Sequence, residues 1–167
     1  MLSRHSFACI GAALALLLIP AVALAVKAPA PPRPGSWLVT GSTGSGGFTI
    51  SKKEVVTSFK AKVKPQDCES GTLKISGSLP LSLVKNASKV GGAAKTVWAV
   101  ASGGGTVDPG LVQPTPVSLK INGHGQVNSK IFMTFTSGNA RANGYVAWGD
   151  DGEGGASCEF DFTAKRG

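Results

Sequence analysis

The feature that most constrains the fold is a two-residue alternation of apolar and polar side chains that recurs along most of the chain. In the closing stretch Cys158, Phe160, Phe162 and Ala164 alternate with Glu159, Asp161 and Thr163, the pattern of a strand with one buried face. The same alternation places Phe59, Ala61 and Val63 opposite Lys60, Lys62 and Lys64, and it returns at Leu73 and Ile75 and at Val117, Leu119 and Ile121. Ile131 to Thr136 and Gly144 to Trp148 are rich in β-branched and aromatic residues, which fit a pleated surface. Turn chemistry separates these runs: Asn122-Gly123 is a hairpin signal, Asp108-Pro109-Gly110 a turn, and the Gly and Asp cluster from Gly149 to Gly155 returns the chain to its last strand. Outside the first residues no stretch sustains a 3.6-residue apolar period. The prediction is therefore an all-β, single-domain antiparallel β-sandwich of about eight or nine strands, with an open β-barrel as the alternative.

Residues 1–25 read as a signal peptide. Arg4 supplies the charged start, Ile10 to Leu24 are uncharged and largely apolar, and Ala23-Leu24-Ala25 offers a small-x-small cleavage pattern before Val26. The alternative is an uncleaved membrane anchor, but the run falls short of the ~20 residues that span a bilayer and prolines follow it at once. Cys9 precedes the apolar run rather than ending it, which argues against a lipid-modified cysteine. With the signal removed, no membrane-spanning segment is expected. Residues 26–36 contain four prolines and little to bury, so they predict an extended spacer. Residues 37–167 form the predicted domain, opening on Trp37.

Loss of Cys9 with the leader leaves two cysteines, Cys68 and Cys158, in an exported chain. A disulfide between them is the default, with free or intermolecular thiols as the alternative. Charge is unevenly placed. Residues 26–130 carry thirteen basic and four acidic side chains, whereas 131–167 carry three and five. A basic surface outside a cell favours anionic polymers, although net charge by itself also serves solubility.

The candidate sites follow from this charge. Lys60, Lys62 and Lys64 project from one face of one strand at ~7 Å intervals, a ladder able to grip a polyanion, and Lys52, Lys53 and Lys74 are candidates to extend it. Lysines on an edge strand also block edge-to-edge aggregation, which is the competing account. The glycine-rich run at 41–47 lacks the Gly-Lys-Ser/Thr ending of a phosphate loop and reads as a flexible hairpin loop. His124, between two glycines, is the one histidine beyond the leader; it cannot form a multi-histidine metal site, and no Gly-x-Ser-x-Gly elbow accompanies it. Asp150, Asp151 and Glu153 supply hard oxygen ligands for calcium but lack EF-hand spacing. Trp37, Trp98, Trp148 and Tyr145 would stack on sugars if exposed together, yet Trp148 is in phase with Val146 and belongs to a core.

Several short motifs occur in a familiar order: Gly35-Ser36-Trp37, Gly47-Phe48-Thr49-Ile50, the Phe59 to Lys64 strand leading to Cys68, Leu79-Pro80-Leu81, Ile121-Asn122-Gly123, Phe135-Thr136-Ser137, Ala142-x-Gly144, and Cys158 to Ala164 before Lys165-Arg166. In this the chain resembles a recurrent group of small secreted bacterial proteins, common in actinobacteria, built as single-disulfide β-sandwiches and mostly of unassigned function. It departs from them at 84–116, which is longer and richer in glycine. The resemblance implies fold and compartment rather than chemistry. The expectation is a secreted, monomeric, non-catalytic binding or structural module of the cell exterior, without cofactor, metal or sequence-specific nucleic acid. Its partner would be an anionic cell-surface polymer; the alternative is a secreted hydrolase acting through His124.

Overall fold

A computed structural model describes residues 28–66, 68–86, 95–101, 113–136, 140–149 and 157–167. Residues 1–27, much of 84–116 and the acidic stretch with Asp150, Asp151 and Glu153 lie outside the described residues. Among the described residues every regular element is a strand. In chain order these are β1 (Gly35–Gly41), β2 (Gly44–Ile50), β3 (Val55–Val63), β4 (Gly71–Ser76), β5 (Leu79–Pro80), β6 (Ser82–Asn86), β7 (Lys95–Val100), β8 (Thr115–Pro116), β9 (Ser118–Ile121), β10 (His124–Gln126), β11 (Lys130–Phe135), β12 (Arg141–Gly149) and β13 (Ser157–Arg166).

All the pairings are antiparallel and run in the order β10-β9-β4-β3-β2-β1-β13-β12-β11-β7-β6, with β5 on β3 and β8 on β11. The all-β expectation thus holds in its open-barrel form: one continuous sheet curls into a half-barrel. Two backbone bonds outside the ladders, Val117 N to Ser129 O (2.9 Å) and Gly149 N to Val127 O (3.1 Å), tie the β9–β10 end back toward β11 and β12. The first and last strands lie side by side, with Val39 opposite Ala164 and Thr40 opposite Thr163.

The concave side holds the core. Phe48 stacks between Trp37 (5.8 Å between ring centroids) and Phe59 (5.9 Å), and Phe135 meets Trp37 edge-on at 5.3 Å. Phe160 and Phe162 from β13 complete the aromatic layer, with Phe162 at 5.4 Å from Phe59. Leu73, Ile75, Leu119, Ile121, Ile131 and Met133 fill the remainder. Burial of such side chains stabilises a fold by roughly 1.5–3 kcal/mol each. Ser129 is the one buried polar residue among those described, and its hydroxyl donates toward the Gln126 and Val127 carbonyls at 3.1 and 3.3 Å.

A bulge sets the phase of β3. Gly47 pairs with Lys60 and Thr49 with Thr57, so β3 carries one residue more than β2 across this step, and Ser58 takes a left-handed conformation (φ 56°) to absorb it. Without that extra residue the inward phase of Val56 would turn Phe59 outward and the lysines inward. With it, Phe59, Ala61 and Val63 are buried and Lys60, Lys62 and Lys64 are exposed.

Three regions differ from the sequence expectation. The run at 41–47 is not a flexible loop: only Ser42 and Thr43 form the turn, and Gly44 to Gly47 are strand β2. Glycine is required there by close approach, since a Cβ at Gly46 would overlap the Lys60 carbonyl and come within 2.8 Å of the Ala61 side chain. Strand β1 begins two residues before Trp37, because Gly35 and Ser36 already pair with Ile50 and Thr49. The described part of the proline-rich segment, from Ala28, lacks regular structure but is no free spacer. Pro32 is buried, the Trp98 indole N–H donates to the Pro29 carbonyl (2.9 Å), and the Trp37 indole N–H donates to the Arg33 carbonyl (3.3 Å). Buried and partly buried indoles need an acceptor, and the proline-rich backbone, with few N–H groups of its own to pair, leaves carbonyls available.

Cys68 and Cys158 are disulfide-bonded, joining the β3–β4 connection to the start of β13 across 90 residues of sequence. Cys158 packs against the core beside Trp148, its partner in the β12 ladder.

Candidate polyanion-binding face

The convex side of the sheet carries the charge, and strand register arranges it in rows. Lys60 on β3 lies directly opposite Lys74 on β4, and Lys74 lies directly opposite Lys120 on β9. Directly opposed residues on neighbouring strands have Cβ atoms about 4.5–5.5 Å apart, so three ammonium groups share one small patch. All three side chains are exposed, and among the described residues none of them forms an ion pair. The row continues on the other side of Lys60 through Gly47 and Leu38 to Lys165 and Arg141, each opposite the next. Its middle is neutral: Gly47 has no side chain and Leu38 is an exposed apolar residue.

The expected ladder is therefore one edge of a two-dimensional array. Lys60 borders a shallow groove of about 640 Å3 together with Thr72, Lys74, Lys120 and Asn122. Lys62 and Lys64 border a second of about 690 Å3 with Thr43, Ser45, Thr72 and Asn122. Lys74 extends the patch as expected. Lys52 and Lys53 instead occupy the turn ahead of β3, away from the rows. Lys120, Lys165 and Arg141 were not expected in the array. Lys60, Lys74 and Lys120 each sit between two inward-facing apolar residues, which is visible in the sequence; what the sequence does not contain is which of these strands are neighbours.

Asn122 organises the grooves' shared border. Asn122 and Gly123 both take positive φ (49° and 92°), the backbone of the two-residue hairpin that their dipeptide predicts. The Asn122 side chain accepts from the Thr72 N–H (3.0 Å) and donates toward Glu69 Oε1 and the Ser70 carbonyl (both 3.1 Å), fixing the β9–β10 turn to β4. Glu69 thereby directs its carboxylate at an amide rather than at a lysine.

The far end of the convex face is acidic. Glu159 and Asp161 are successive outward residues of β13, and partial burial, the Asp161 charge and a hydrogen bond with Asp161 hold the Glu159 carboxyl above the usual glutamate range, with Lys130 opposing. Next to Asp161 across β12 and β11 stand Tyr145 and Phe132, rings 5.9 Å apart. The four aromatics considered for sugar stacking do not gather: Trp37 and Trp148 are in the core and Trp98 holds the proline-rich segment, leaving Tyr145 on the outer face.

His124 opens β10 with an exposed side chain, and its imidazole has no hydrogen bond to a serine or a carboxylate among the described residues. No group of three or more His, Cys, Asp or Glu residues able to hold a metal occurs among the described residues. The Asp150, Asp151 and Glu153 calcium candidate lies outside them. No protein-family model matches the chain, and no curated protein or solved structure shows significant similarity to it.

Proposed function

We propose that the chain is a secreted, non-catalytic binding module of the cell exterior, which holds an anionic surface polymer on the convex face of β3, β4 and β9. The observation that carries this reading is the register of Lys60, Lys74 and Lys120: three exposed ammonium groups, adjacent on three neighbouring strands and lacking carboxylate partners among the described residues. Directly opposed like charges destabilise a sheet, so the arrangement lowers stability unless an anion fills it. Edge protection does not account for it, because β3 and β4 are interior strands. Export is supported by the leader and by the disulfide, which persists in oxidising compartments.

The test is retention on an anionic matrix as a function of salt. The parent should elute at higher salt than a Lys60→Gln/Lys74→Gln/Lys120→Gln variant, and the variant should retain the fold because none of the three fills the core. Equal elution of the two proteins would remove the basis of the reading.

A further inference from the structure

The lysine patch is not isolated on the convex face. A row of small polar residues leads away from it, each directly opposite the next: Lys62, Ser45, Thr40, Thr163, Asn143 and Thr134. The row crosses β3, β2, β1, β13, β12 and β11, five inter-strand steps of about 4.8 Å, and so spans roughly 24 Å. It ends in a groove of about 530 Å3, where Tyr145 and Phe132 form one wall and Asn143 and Asp161 contribute polar groups. Tyr145 and Phe132 are each partly buried, Phe132 also packing against the small apolar cluster of Val84, Ala99 and Ala101, and among the described residues neither the Tyr145 hydroxyl nor the Asn143 amide has a hydrogen-bond partner. The three grooves are contiguous: Ser42 borders both the aromatic groove and the Lys62 groove, and Thr72 and Asn122 border both the Lys62 groove and the Lys60 groove.

From this continuity we infer that the polymer is an acidic glycan lying across the strands, with a sugar ring against Tyr145 and Phe132, hydroxyls along the Thr and Ser row, and its acidic groups on the lysines. The inference rests on the reading of the lysine face as an anion-binding surface and adds the polymer's class to it. A phosphate chain or a lipid headgroup layer would use the lysines but has no use for an aromatic wall with the Asn143 amide beside it. A pyranose presents both an apolar face for a ring and a rim of hydroxyls for Asn143, Asp161 and the threonines. A carboxylate pair at the aromatic end also repels the charged part of the chain, which orients the acidic substituents toward the lysines.

The test compares two polyanions, polygalacturonate and inorganic polyphosphate, binding to the full mature chain and its variants. The parent should bind polygalacturonate more tightly, and part of that binding should persist at salt that abolishes polyphosphate binding, because stacking is not screened. Tyr145→Ala should weaken polygalacturonate binding by about tenfold and leave polyphosphate unchanged. Asn143→Ala, an exposed position without packing duties, should act in the same direction. If both variants bind both polymers like the parent, or if they weaken both equally, the glycan inference is overturned while the anionic reading stands. If the parent binds neither polymer at low salt, both fail.

Discussion

Lys74 is the middle member of the basic row, and neutralising it should make the protein more stable. Lys74 faces Lys60 on one side and Lys120 on the other, so Lys74→Gln removes two directly opposed like-charge pairs in one substitution. Each pair costs about 0.2–1 kcal/mol, and because the side chains are exposed and fan into water the sum should fall near 1 kcal/mol. For a domain of this size such a change raises Tm by about 3 °C. Glutamine keeps most of the side chain's length, leaving the contacts of its methylenes in place. The assay is thermal and urea unfolding at about 0.01 M and about 1 M salt, where the screening length contracts from ~30 Å to ~3 Å. The gain should be present at low salt and vanish at high salt, and the same variant should lose affinity for polyanions. A variant less stable than the parent at low salt, or a gain that persists undiminished at 1 M, would refute the electrostatic account of the row.

Reducing the Cys68–Cys158 bond, or replacing both residues with alanine, should lower stability by up to about 4–5 kcal/mol on the chain-entropy account, read as a fall in the urea midpoint. Gly46→Ala places a methyl against the Lys60 carbonyl and Ala61, and should cost about 1–3 kcal/mol by the same measurement; a neutral result would show that β2 and β3 can part without loss. Glu159 binds its proton more tightly folded than unfolded, so its contribution to stability is present at acidic pH and is lost as pH rises through its elevated folded-state pKa. Glu159→Gln should therefore flatten the pH dependence of Tm just above the ordinary glutamate range, and an unchanged profile there would contradict the pairing with Asp161.

What the sequence discloses and what it conceals divide along one physical line. A strand's side-chain period is a local property, so Phe160, Phe162 and Ala164 announce an inward face without reference to any other strand, and Asn122-Gly123 announces a hairpin because both residues tolerate positive φ. Pairing is a property of two segments. β4 meets β9, and β1 meets β13, across long stretches of intervening chain, and nothing in either partner's own composition records that neighbour. The lysines of β3 were therefore legible as a line along one strand, whereas the row through Lys74 and Lys120 exists only once three strands are in register. The bulge at Ser58 belongs to the same category: it is a mismatch in count between β2 and β3, and it decides on which side Lys60 emerges. A Ser58 deletion restores equal counts and should force β3 either to shift its pairing with β2 or to turn Phe59 outward. The second outcome turns Lys60 off the convex face and away from Lys74, so loss of polyanion binding together with core destabilisation is its expected signature. Retention of both by the deletion variant would mean that the bulge does not set the phase of the basic row.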